Sequence, residues 1–184
     1  MRKFLVPLAL VGALSLSVSG CAPTGGTTSI DANSQSVFDM NDIMFAQMMI
    51  PHHEQAVELA TIAQSNTTNP AILDLADRIA NAQQPEIDLM TSWLEESGAG
   101  LDMGHAMHMP GIVSDADMTT IRAAMGDEFD RLFLTHMIAH HQGAIDMAND
   151  VLNTTSNADV TLLANSIVAA QSEEIAEMTA LLAQ

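Results

Sequence analysis

Phe45-Ala46-Gln47-Met48-Met49-Ile50-Pro51-His52-His53-Glu54-Gln55-Ala56-Val57-Glu58-Leu59-Ala60 returns 88 residues later (133 against 45) as Phe133-Leu134-Thr135-His136-Met137-Ile138-Ala139-His140-His141-Gln142-Gly143-Ala144-Ile145-Asp146-Met147-Ala148. Phe, Met, Ile, both His and two Ala keep their places. The same offset, without a gap, aligns Gln83, Glu86, Ile87, Met90 and Leu94 with Gln171, Glu174, Ile175, Met178 and Leu182. A gapless match over two separated segments reads as an internal duplication.

Each copy has the periodicity of a helical hairpin. Phe45, Met49, His52, Ala56, Leu59 and Ala63 alternate spacings of four and three, the seam of a packed helix. Phe133, Met137, His140, Ala144, Met147 and Val151 repeat it. The second helix of copy one opens at Asn69-Pro70, a cap followed by proline at the first helical position. Its expected seam is Ile72, Leu75, Ile79, Ala82, Glu86, Leu89 and Trp93, and Gly98 ends it. Copy two caps its second helix at Asn157. Ser114-Asp115-Ala116-Asp117 reads as a capping box, with Asp in place of Glu, opening a short helix before Gly126. Two such hairpins predict an all-α, four-helix bundle. Pro51 and Pro85 fall inside predicted helices, where each removes a backbone bond and favours a bend. A bend there either opens a site or is a tolerated local distortion.

Composition agrees with helices. Aromatics are 3% of 184 residues, with no Tyr, too few for a strand-rich core. Five basic residues face 23 acidic ones, a formal charge of −18. That surface repels phosphate backbones and attracts cations, so no nucleic-acid partner is expected. The single Cys excludes an internal disulfide and a thiolate cluster. No Gly-rich phosphate loop or nucleophile elbow is present.

The first twenty residues read as an address. Arg2-Lys3 precedes the apolar run Phe4 to Val18, which ends on Ser19-Gly20-Cys21. Small residues before a single Cys match the bacterial lipobox. Residues 1–20 are therefore expected to be a lipoprotein signal peptide, with Cys21 lipidated and the protein held outside the cytoplasm at a membrane. Residues 21–36, rich in Gly, Thr and Ser, read as a flexible tether. The bundle is assigned to 37–184: hairpin one at 37–98, a connection at 99–113, hairpin two at 114–184.

Two places carry candidate metal chemistry. In the repeats, a hairpin folded about its turn sets His52 level with Gln83, one turn from Glu86, and His140 level with Gln171, near Glu174. Pseudo-twofold packing brings both layers together. Buried polar groups need partners. A metal is one solution, with Met49 and Met137 one turn before His53 and His141. A metal-free His–carboxylate network is the other. The candidate ligands here are Met49, His52, His53, His136, Met137, His140 and His141. The second place is the connection Met103-Gly104-His105-Ala106-Met107-His108-Met109-Pro110-Gly111. Met103, His105, Met107, His108 and Met109 combine thioether and imidazole, a set that selects soft ions such as Cu(I) or Ag(I). A merely sticky loop is the other reading. Met40, Met44, Met48 and Met49 form a further stripe, assignable to core or to ligand. No Glu-x-x-His occurs, unlike the di-iron carboxylate bundles.

The repeated M-I-x-H-H-x-x-A-x-x-x-A, the Q-x-x-E-I-x-x-M of the second helices and the M-H-M-P-G connection resemble the CopM-like family of bacterial domain-of-unknown-function proteins, from about Phe38 to Leu182. The resemblance implies a ferritin-like four-helix bundle, exported or membrane-anchored, with copper binding and copper resistance in some members. It points to Met49, His52, His53, Met137, His140 and His141 and to the Met/His-rich connection. Copy one departs at Pro51, where copy two has Ala139, so the two His pairs are not expected to be equal.

The expected function is that of an extracytoplasmic, membrane-anchored lipoprotein that binds copper, as Cu(I), for sequestration, resistance or handover, without a catalytic step. Two alternatives differ in class: a metal-dependent, oxidase-like enzyme using the His/Glu layer, and a structural or interaction module whose layer only fixes register. Oligomeric state is not legible in the sequence.

Overall fold

Caps and breakers decide where each helix starts and stops. The computed structural model describes residues 37–101 and 109–184. The signal peptide, the tether, Cys21, Met103, His105, Met107 and His108 lie outside the described residues. Helix α1, Met40–Asn66, is opened by Asp39, whose carboxylate accepts from the main-chain N–H of Asn41 and Asp42. Asp42 accepts in return from the Asp39 N–H at 3.0 Å, so aspartates make both halves of a capping box. Helix α2, Pro70–Ser97, begins at the Asn69 cap and ends at Gly98, whose φ of 71° is the left-handed stop. Helix α3, Asp115–Ala123, is short. Helix α4, Gly126–Leu152, and helix α5, Ala158–Leu182, complete the chain, α5 capped by Asn157. Among the described residues there is no strand, and no helix is long and apolar enough to cross a membrane.

The architecture is all-α, with four long helices in two hairpins. α1 packs on α2 and α4 on α5, and the hairpins meet mainly through α1 against α4. Both prolines sit inside helices that continue through them, α1 past Pro51 and α2 past Pro85. Asn66 pins α3 to the end of α1 by donating to the carbonyls of Arg122 at 3.1 Å and Ala124 at 2.8 Å. Arg122 adds an ion pair with Glu58, and Arg78 joins α2 to α5 through Glu177 at 2.6 Å.

Two local expectations are corrected. α2 buries Ile72, Leu75, Ile79 and Trp93 as expected, but between Ile79 and Trp93 it is Gln83, Ile87 and Met90 that are buried, whereas Ala82 and Leu89 are exposed. The seam drawn through Ala82 and Glu86 skipped Gln83, where the interior of this bundle is polar. At α3, Ser114 accepts from the Asp117 N–H at 3.1 Å. The Asp117 carboxylate, however, accepts from the Ser114 hydroxyl at 2.7 Å, not from its main-chain N–H. The Ser114 hydroxyl takes up the Asp117 carboxylate, so only half of the box forms, whereas at α1 Asp42 reaches the cap N–H.

The core is divided. One apolar half gathers Phe45, Met49, Met90, Trp93, Met147 and Ile167. The other gathers Leu59, Ile79, Phe129, Phe133, Met137 and Met178. Between them in sequence, on every long helix, stand the buried polar residues: His52 and His53 on α1, Gln83 on α2, His140 and His141 on α4, and Gln171 on α5.

Candidate metal centre

All four histidines of the layer are at most 1% exposed. Their seam position puts them there: the same spacing that buries Phe45 and Met49 carries His52 inward. His52 and His140, equivalent in the two repeats, meet across the hairpin interface with ring centroids 3.7 Å apart and planes tilted by 35°.

The Nε2 atoms of three rings face acceptors. The ring of His53 donates through Nε2 to Glu86 Oε2 at 2.8 Å, and that of His141 to Glu174 Oε2 at 2.7 Å. The two bonds span the same 33 residues, one per hairpin. His52 donates through Nε2 to the main-chain carbonyl of Pro110 at 3.0 Å. An acceptor at Nε2 holds the proton there and leaves the lone pair of a neutral ring on Nδ1. The Nδ1 atoms of His52, His53 and His141 are buried and have no hydrogen-bond partner. Neither ring nitrogen of His140 makes a hydrogen bond of normal geometry, although the main-chain carbonyl of His52 lies close enough to pull weakly on the ring. The side-chain amide of Gln83 and Oε1 of Gln171 are also buried without partners.

This environment keeps the stacked pair, His52 and His140, uncharged. Burial, followed by the neighbouring His53, pushes His52 down to about 3, against the weaker opposing pull of the Pro110 carbonyl. Burial and then His52 lower His140 well below the ordinary histidine range, with His141 and His53 adding to the effect. A neutral imidazole is the form that binds metals. The two carboxylates reach the edge of the layer, Glu86 with 20% and Glu174 with 14% of the side chain exposed.

A strap from the inter-hairpin connection closes one side. Gln55 clamps Val113 with two bonds, donating to its carbonyl at 2.9 Å and accepting from its N–H at 2.8 Å. Gly143, the repeat counterpart of Gln55, lets the chain pass: a Cβ there would stand 2.0 Å from the Pro110 carbonyl oxygen. Gly111, at φ 75°, faces α4 so closely that a Cβ would meet the Ala139 carbonyl at 2.4 Å. Sequence reasoning missed Gln55, Pro110, Gly111 and Gly143 as parts of the site. A glycine in the middle of the long helix α4 was the available signal.

Of the other candidates, Met49 and Met137 are fully buried, one in each apolar half. His136 is half-buried on α4 and takes part in none of the ring contacts or hydrogen bonds of the layer. Met109, at the start of the strap, is half-buried. Among the described residues, no three His, Cys, Asp or Glu side chains already converge on one point as a finished metal cage. The layer instead offers buried ring nitrogens, and on His52, His53 and His141 the opposite nitrogen is held by an acceptor.

The DUF305 family, described as a domain of unknown function, matches residues 42–182. Among solved structures, a Streptomyces coelicolor DUF305 protein described as secreted is 31% identical, with a TM-score of 0.75, over 78% of this chain and 91% of its own. A DUF305 fragment from Deinococcus radiodurans is 29% identical, with a TM-score of 0.72, over 79% and 97%. CopM in its Cu(II)-bound form is 29% identical, with a TM-score of 0.68, over 77% and 95%. CopM has also been solved in Cu(I)-bound, Ag-bound and metal-free forms. No curated protein matches.

Proposed function

The chain belongs to the DUF305 family, and from that membership we propose that it is a non-catalytic metal-binding protein that takes copper, as Cu(I), into the central histidine layer. The observation that carries the reading is the set of buried ring nitrogens without partners, on rings whose other nitrogen is already held. Histidines that ligate metals commonly donate their second N–H to a carboxylate or a main-chain carbonyl, which orients the ring and raises its basicity. His53, His141 and His52 have those arrangements. A metal-free network accounts for the two His–Glu pairs. It does not account for His140, which makes no hydrogen bond of normal geometry through either nitrogen although the residue is buried.

Copper is favoured by the donor chemistry and by likeness. Imidazole suits copper, and thioethers in the adjoining connection extend the preference to its reduced form. CopM, alike in fold and sequence, has been solved with Cu(I), Cu(II) and silver. Copper is cargo here, held for sequestration, resistance or handover. The lipobox at Cys21 supports attachment to a membrane outside the cytoplasm, and a secreted relative agrees with an extracytoplasmic setting. Met103, His105, Met107, His108 and Met109 serve as a second, softer binding segment in this reading.

Competition for Cu(I) against a chromophoric chelator tests the proposal. Wild type is compared with His52→Leu/His140→Leu, which removes the stacked pair and leaves an apolar filling. Weakening of the tightest binding by ~10-fold or more is expected. Unchanged affinity in that variant would remove copper from the layer.

A further inference from the structure

The end of the bundle where α1 begins and α4 ends holds a cavity of about 240 Å³, lined by Met44 and Met48 from α1 and Met147 from α4, with Asp150 among its lining residues. We infer that this cavity is a second soft-metal site, in which the thioethers of Met44, Met48 and Met147 bind one monovalent d10 cation, Cu(I) or Ag(I), beside the Asp150 carboxylate. The inference rests on the copper reading and assigns to it a site separate from the histidine layer.

Met44 and Met48 are one helical turn apart and so share a face of α1. Met147 comes to that face from the other hairpin, and Asp150 follows it by one turn on the same helix. The cavity has an apolar wall, Phe45 and Val151, and an exposed acidic residue. Thioethers are neutral and soft, so they bind a soft cation without neutralising it. A carboxylate nearby offsets the remaining charge.

The duplication supplies an internal control for packing. The counterparts of Met44, Met48, Met147 and Asp150 in the other repeat are Leu132, His136, Leu59 and Ile62. Leu59 and Leu132 pack into the apolar half at the opposite end, where the cavity methionines have no thioether counterpart. By contrast, the buried Met49 has Met137 as its counterpart, as expected of methionine that serves the core in both copies. The three cavity methionines are thus present at one end only. Met44 is 36% exposed, where burial gives little reason to prefer methionine.

The test uses the full chain labelled with 13C at the methionine methyl groups and titrated with Ag(I), which is redox-inert. The methyl resonances of Met44, Met48 and Met147 are expected to shift together and saturate. The Met44→Leu/Met48→Leu/Met147→Leu variant should bind one fewer silver ion per chain. Met44→Leu alone, at a partly exposed position, provides a second variant with no core to disturb. If those three resonances stay fixed while silver still binds elsewhere in the chain, the cavity site is wrong and the copper reading stands. If no silver binds beyond the level of an unstructured acidic peptide, both are wrong.

Discussion

His140 stands in the middle of the molecule with neither ring nitrogen in a hydrogen bond of normal geometry, beside a ring that donates to a main-chain carbonyl. Both rings stay neutral in the fold, and this links stability to pH. Below the ordinary histidine value of 6.5 the unfolded chain binds protons at these positions and the folded chain does not. The metal-free protein therefore loses stability as pH falls from about 6.5 towards 3, by up to about 1.4 kcal/mol per pH unit for each histidine. Urea midpoints at pH 7, 6 and 5 should fall in that order, and the fall should be shallower in His52→Leu/His140→Leu. A midpoint indifferent to pH would mean that the rings reach water.

Among the elements, the strap at Pro110–Val113 shows most clearly how local sequence serves the site. It rests on Gln55 of α1 and passes over Gly143 of α4, counterparts in the two repeats. One repeat position thus became a clamp and the other a gap, and the single strap crosses where the two hairpins meet. Alanine at 143 would drive a methyl group into the Pro110 carbonyl, which is backbone and cannot simply rotate away. Gly143→Ala should cost about 1–3 kcal/mol in chemical denaturation. By freeing the His52 ring it should also lower copper affinity by ~10- to 100-fold in chelator competition. Retained stability and affinity would show the strap to be incidental. The helices themselves were legible, because Asn69-Pro70, Gly98 and Asn157 are chemically explicit caps. The buried face of α2 was misdrawn between Ile79 and Trp93, where it runs through Gln83, Ile87 and Met90 rather than Ala82 and Leu89.

At the scale of the whole molecule, a repeat read from sequence leads to a core cut in two by a polar layer. Reflecting each hairpin about its turn placed His, Gln and Glu at one height, and the structure brings them there. The reflection could not choose between adjacent histidines: it set Glu86 near His52, whereas Glu86 receives the N–H of His53. A shift of one residue turns a side chain by about 100° on a helix, and spacing alone does not resolve which neighbour it meets. The formal charge of −18 also acts globally. Repulsion among carboxylates opposes compaction and is screened by salt. The melting temperature should rise between about 10 mM and 150 mM salt, by ~2–4 °C for each 1 kcal/mol relieved. A melting temperature that falls over that range would mean that ion pairs such as Arg78–Glu177 outweigh the repulsion. The most direct test of the central claim is the 15N spectrum of the histidine side chains as Cu(I) is added to the full chain. Nδ1 resonances of the layer histidines should move, while Nε2 of His53 and His141 stays protonated on Glu86 and Glu174. Copper uptake that leaves all four layer histidines unshifted would contradict the account.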